Sequence, residues 1–127
     1  MYQSIGLFEV AGRMAAHAGA RQALVAQNIA NSDTPGYRAT ALPSFAEAYG
    51  TRTAASLRAT RMGHMGGVGD AGASAIASGG EPAPNGNDVS LETELLQSIE
   101  AGREHRRALA IYKHAMTVVR TALGPGR

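Results

Sequence analysis

No cysteine occurs in the 127 residues. That excludes a disulfide framework, a thiolate zinc site and a cysteine nucleophile. Tryptophan is also missing, and the aromatics are two Phe and four Tyr. Large core-forming residues are scarce: Leu, Ile, Val and Phe number 22 in all. That is under the rough fifth of a chain below which self-sufficient burial becomes difficult, about 20 %. The apolar fraction of 44 % hides this, because 25 of those residues are Ala. Charge of one sign is lacking too. Twelve basic residues against ten acidic ones leave a net +2, with no block of like charge to follow a nucleic-acid backbone. Long apolar runs are absent, so no membrane-spanning helix of about 18 residues is expected. Nor is a cleavable secretory signal, because the first positive charge, Arg13, follows the first apolar cluster and Glu9 interrupts it. A thick-cored monomeric enzyme is disfavoured. A chain that buries its apolar surface against partners is favoured.

Chemistry-bearing patterns are equally sparse. His17, His64, His105 and His114 show no i, i+4 pair and no regular third ligand, so no metal site is expected. No Gly-x-Ser-x-Gly elbow is present. Gly66-Gly67-Val68-Gly69 follows no strand and opens no helix, so it reads as loop and not as a phosphate cradle. No catalytic residue and no cofactor are assigned.

Two segments carry helical periodicity. Over 3–31, Leu7, Val10, Met14, Ala18, Val25 and Ile29 recur at helical spacing, with a gap at Arg21 and Gln22. Gly6, Gly12 and Gly19 fall roughly on one face, which would let a neighbouring helix come close. Over 91–123, Leu91, Leu95, Ile99, Gly102, Arg106, Leu109, Tyr112, Met116, Val119 and Leu123 follow steps of three and four. Ser90 is a natural N-cap, Glu92 and Glu94 suit the positive helix start, and Gly124-Pro125 stops the helix. Glu100 and Glu104 are placed to pair with Arg103, Arg106 and Arg107 on the same helix. Between the helices, residues 50–86 hold nine of the sixteen glycines, the composition of a linker or extended arm.

The fold expected is mainly α: long N- and C-terminal helices pairing as an antiparallel, coiled-coil-like hairpin around a Gly/Ala-rich central loop. Its parts are an N-terminal helix and turn over 1–38, a variable, flexible segment over 39–86, and a C-terminal helix over 87–127. The helix-packing residues expected are Leu7, Met14, Val25, Leu91, Leu95, Ile99, Leu109, Tyr112, Met116 and Leu123.

The first helix exits through Asn28-Ile29-Ala30-Asn31-Ser32-Asp33-Thr34-Pro35-Gly36-Tyr37-Arg38. Asn31 is expected to cap in left-handed backbone, and Ser32 and Asp33 to bond local backbone groups. Pro35-Gly36 suits the centre of a type II turn, and Tyr37 offers a flat amphipathic ring for packing.

The string Asn28, Ile29, Ala30, Asn31, then Asp33, Thr34, Pro35, Gly36 and Tyr37, after an Ala- and Gln-rich helix, resembles the signature of bacterial flagellar axial proteins of the rod and hook. The Asn87-Asp88-Val89 lead-in and the last helix resemble the second part of that pattern. One departure is Ala101-Gly102-Arg103, where the family often carries Asn or Gln before a Tyr. The resemblance implies a structural subunit in a helical assembly. The short length resembles the proximal-rod members, which lack large inserted domains. It implies partners among other rod subunits, further copies of this chain, the basal body adaptor and the export apparatus. It also implies a place in the periplasmic rod, reached by type III export without a cleaved signal. Phe45 and Tyr49, at Phe-x-x-x-apolar spacing, are similar to an element associated with the export gate; local packing of a short helix over 43–49 is the equal alternative. A reading from another class is an amphipathic module on a membrane surface, but the acidic residues on its polar face argue against lipid binding.

Overall fold

The computed structural model describes residues 2–49 and 74–124. Helix α1 spans Tyr2–Ala30, strand β1 Thr40–Ala41, strand β2 Ile76–Ala77 and helix α2 Leu91–Leu123. Residues 45–49 are also helical. The segment expected to be flexible over 39–86 is therefore structured at both ends, and residues 50–73 lie outside the described part.

The two long helices pair antiparallel. Phe8 meets Tyr112 edge to face, with ring centroids 5.1 Å apart. His105 lies 3.4 Å from the Ala15 carbonyl through Nδ1. Arg21 reaches Gln97 at 2.7 Å and Glu104 at 2.9 Å. This register brings Ala11 level with Ala108, Ala18 with Ala101, and Val25 with Glu94.

The seam between the helices is built from alanine. Ala11, Ala18 and Val25 are buried on α1, and Glu94, Ala101, Ala108 and Ala115 on α2. Each set recurs every seven residues, the repeat that keeps one stripe facing a partner through a slow left-handed supercoil. Arg21 and Asn28 are also buried and fill the companion positions on α1. A side chain of one carbon lets two backbones approach closely. Burial at the seam is thus shallow, and its strength comes from dispersion contact at short range.

The large apolar residues lie elsewhere. Of the residues expected to pack the helices, Val25 is buried and Met14 and Met116 are half-buried. Leu7, Leu91, Leu95, Ile99, Leu109, Tyr112 and Leu123 are exposed. Leu95, Gly102, Leu109 and Met116 each follow a seam position by one residue. They sit about 100° round the helix from it, so one partner helix cannot cover both stripes. Gly6, Gly12 and Gly19 also face open space; alanines, not glycines, make the close approach.

Helix ends follow their sequence signals. Ser90 caps α2, accepting the Thr93 amide on its side chain. Gly124 closes α2 with φ 77° and donates its amide to the Thr121 carbonyl. The helical turn at 45–49 opens with Ser44: the Glu47 amide donates to Ser44 Oγ at 3.4 Å, and the Ser44 amide donates to Glu47 Oε2 at 3.0 Å. This reciprocal capping box holds the Glu47 carboxyl below its usual pKa, through the Ser44 hydroxyl first and its amide second.

Candidate functional site

The exit of α1 lies beside the entrance of α2, and there the chain ties itself with polar side chains. The turn comes first. The Tyr37 amide donates to the Thr34 carbonyl at 3.2 Å, and Gly36 has φ 71°. Proline before a residue of positive φ is the type II arrangement. Asn31 does not take left-handed backbone, because no described residue other than glycine has positive φ. It ends the helix through its side chain instead. Its Nδ2 donates to the Gln27 carbonyl at 2.8 Å, and its Oδ1 accepts the Thr34 hydroxyl at 3.2 Å.

A second turn packs against the first. The Gly86 amide donates to the Ala83 carbonyl at 2.7 Å, and the Ala83 amide to the Asn87 carbonyl at 2.8 Å. The Gly36 amide then donates to the Asn85 carbonyl at 3.0 Å, joining the two turns.

Three side chains lock this arrangement. Asn28 is 1 % exposed. Its Nδ2 donates to the Thr40 carbonyl at 2.9 Å, and its Oδ1 accepts the Thr40 amide at 3.3 Å and the Tyr37 hydroxyl at 3.2 Å. The buried amide thus imitates a strand partner for Thr40, and Tyr37 serves as a donor as well as a packing surface. Asn87 is buried, and its Nδ2 faces three carbonyls of the α1 exit: Asn31 at 2.9 Å, Ser32 at 2.9 Å and Thr34 at 2.8 Å. Its Oδ1 accepts the Val89 amide at 2.8 Å. The Asn31 carbonyl also accepts the Thr34 amide at 3.0 Å, so Asn87 adds a tie to this turn from 56 positions away.

Asp88 is the third. Its Oδ1 accepts the Ala39 amide at 2.6 Å, and its Oδ2 lies 3.2 Å from Arg38 Nη1. The Ala39 amide chiefly holds its carboxyl below the usual range, against the opposing effect of burial, and the Arg38 guanidinium assists. A Cβ on Gly79 would overlap the Asp88 carboxylate, so only glycine fits there. The short ladder pairing Thr40 with Ala77 and Ala41 with Ile76 extends the knot into the β-ribbon.

Midway along the hairpin sits Arg21, 8 % exposed. Gln97 and Glu104 hold its guanidinium, and Glu100 lies 3.8 Å away. Glu100 and Glu104 were expected to pair with Arg103, Arg106 and Arg107. They turn to Arg21 across the helices instead, because burial leaves that cation most in need of a partner. A cavity of about 60 Å³ beside it is lined by Arg21, Val25, Glu94 and Gln97 among others.

The motif residues are thus drawn together: Asn28, Asn31, Thr34, Gly36 and Tyr37 all engage in the knot. Asp33 and Pro35 are exposed. Phe45 is half-buried against His17, with centroids 5.7 Å apart, and against Tyr49 at 5.5 Å. Arg21 had no role assigned from its sequence pattern, and Asn87 and Asp88 figured only as a lead-in. A signal existed for the first: Arg21 falls seven residues from both Met14 and Asn28. Among the described residues, no three His, Asp or Glu side chains gather closely enough to hold a metal ion. No described helix is long and apolar enough to cross a membrane.

Residues 9–38 match the family model described as flagella basal body rod protein. No curated protein matches the chain. The matched stretch runs along α1 and ends just past the type II turn, so it contains the α1 half of the knot.

Proposed function

We propose that this chain is a structural subunit of the flagellar basal body rod, and within it a short proximal-rod subunit similar to FlgB. The observation that carries the reading is the match over 9–38, which contains the α1 half of the knot. The hairpin supports it. Its seam is sealed by alanine, while Leu91, Leu95, Leu96, Ile99, Leu109 and Leu123 point outward. A rod subunit touching several neighbours needs such faces, and heterologous contacts that do not close build open helical assemblies.

In this reading the knot fixes the angle at which the chain leaves the hairpin, so every copy presents the same faces. Leu91, Leu95, Ile99, Leu109 and Leu123 pack against other rod subunits and further copies of the chain. The basal body adaptor and the export apparatus are the remaining partners. The subunit reaches the periplasmic rod through the type III export channel, and Phe45 and Tyr49 serve the export gate.

The test is genetic. Deleting the gene from its native bacterium should abolish swimming and leave basal bodies without a complete rod in electron micrographs. The wild-type gene should restore both. Gly36→Val should not, because a β-branched residue is strained at positive φ. Normal swimming by the deletion strain would remove the proposal. Normal swimming by Gly36→Val alone would remove the role given to the turn.

A further inference from the structure

The imidazole of His17 is enclosed between α1, α2 and the segment around 43–49. Both ring nitrogens are buried without a hydrogen-bond partner among the described residues. Phe45 closes over the ring edge to face, at 66°. The sequence pattern assigned His17 no role; the structure sets its ring against Phe45, the first residue of the helical turn at 45–49.

The groups around it decide what a proton would do. From α1, Arg21 brings a cation one turn away. From α2, Glu104 is the nearby anion, already engaged by Arg21 at 2.9 Å. From the 43–49 segment come the Phe45 ring and the Pro43 carbonyl. Its one acid, Glu47, is turned into the Ser44 cap. An imidazolium would thus meet the Phe45 ring, the like charge of Arg21 and a Glu104 carboxylate already engaged, with the Pro43 carbonyl as the one acceptor that favours it. Burial first and Arg21 second lower the His17 pKa from its ordinary value, against weaker opposing effects of Glu104 and Pro43.

We propose that His17 is a proton-operated latch: neutral, it docks the Phe45 segment onto the hairpin, and protonated, it releases that segment while the helices stay paired. The sign follows from the depressed pKa. Docking is complete above the ordinary histidine pKa of about 6.5. It is lost as pH falls from there through the lower, docked value. The purpose of the latch rests on the proposed export role of Phe45 and Tyr49: release would uncover Phe45 for the gate, and docking would hide it in the folded subunit. The physics of the latch does not depend on that role.

Amide hydrogen exchange on the full chain tests it, in sucrose to favour the compact state. Exchange is read at the Ala48 amide, which donates to the Ser44 carbonyl at 3.0 Å, and at seam amides of both helices. After correction for intrinsic rates, Ala48 protection should fall severalfold as pH drops from about 7.5 to about 5.5, through the ordinary histidine pKa of about 6.5. Protection at Ala18 and Ala108 should hold. His17→Phe should keep Ala48 protected at both pH values, and His17→Gln should leave it low and independent of pH. A flat wild-type profile overturns the latch. So does an equal acid loss in both variants, a simultaneous loss along the helices, or no Ala48 protection at the higher pH. Secretion of Phe45→Ala separates the two readings. Failed secretion beside a flat exchange profile keeps the export role and removes the latch. Normal secretion beside a pH-dependent profile does the reverse.

Discussion

At the scale of single residues, the knot depends on side-chain amides standing in for backbone. Asn87 Nδ2 faces the Asn31, Ser32 and Thr34 carbonyls just past α1, and its own oxygen holds the Val89 amide. Aspartate at this position would keep the acceptor and lose the donors. Asn87→Asp is therefore expected to destabilise the hairpin about as much as Asn87→Ala. Each should cost about 1–3 kcal/mol, the range for leaving buried polar groups unpaired. Urea unfolding followed by circular dichroism checks this, and a clearly milder effect of Asn87→Asp would show that the acceptor matters more than the donors. Much of this site was legible beforehand. Proline followed by glycine after a helix announces a type II turn from local chemistry alone, and Gly36 adopts it. The partners Asn28–Thr40 and Asn87–Asn31 were not legible, because a side-chain amide carries no mark of which distant carbonyl it will meet. Asn31 shows the limit from the other side: asparagine tolerates left-handed backbone, yet here its side chain closes the helix without it.

At the scale of elements, the boundaries of α2 were readable from Ser90 and Gly124, since caps act locally. Its inward face was not. The eye follows Leu and Ile, and these mark the outer stripe of α2. The inner stripe is alanine repeating every seven residues, which a scale of hydrophobicity underrates because alanine buries little area. The closeness of the backbones makes that seam intolerant of size. Ala108, fully buried, lies level with Ala11, and a leucine there has no space without separating the helices. Ala108→Leu should cost about 1–3 kcal/mol or more through overpacking. Leu109→Ala, one residue away and half exposed, should cost the isolated chain under about 0.5 kcal/mol. Paired melts of the two variants check the contrast, and equal destabilisation would mean the seam has been misplaced. If Leu109 serves neighbouring subunits, its loss should appear in assembly instead.

At the scale of the whole molecule, the buried apolar set among the described residues is six alanines and one valine, a thin core for two helices of 29 and 33 residues. Conformational entropy of about 1–2 kcal/mol per residue opposes folding. The dilute chain is thus expected to hold its helices only partly, and to gain ellipticity as concentration rises and the outer stripes find copies of themselves. Circular dichroism across a hundredfold dilution checks this. A cooperative, concentration-independent melt would show that the seam suffices alone. The early count of large apolar residues predicted this deficit. What it did not reveal is the division of labour: alanines line the seam of the hairpin, and most of the large aliphatic residues of α2 are left for its surroundings.

The ties along the hairpin are unevenly spread. The knot of Asn28, Asn87 and Asp88 lies at one end, the Arg21 bridge near the middle, and Phe8 against Tyr112 toward the other. Such a hairpin behaves as a pair of tweezers, stiff at the pivot and compliant at the tips. Load arriving at the pivot passes through hydrogen bonds to rigid turns. Load arriving at the tips bears first on the Phe8–Tyr112 contact and then on the alanine seam.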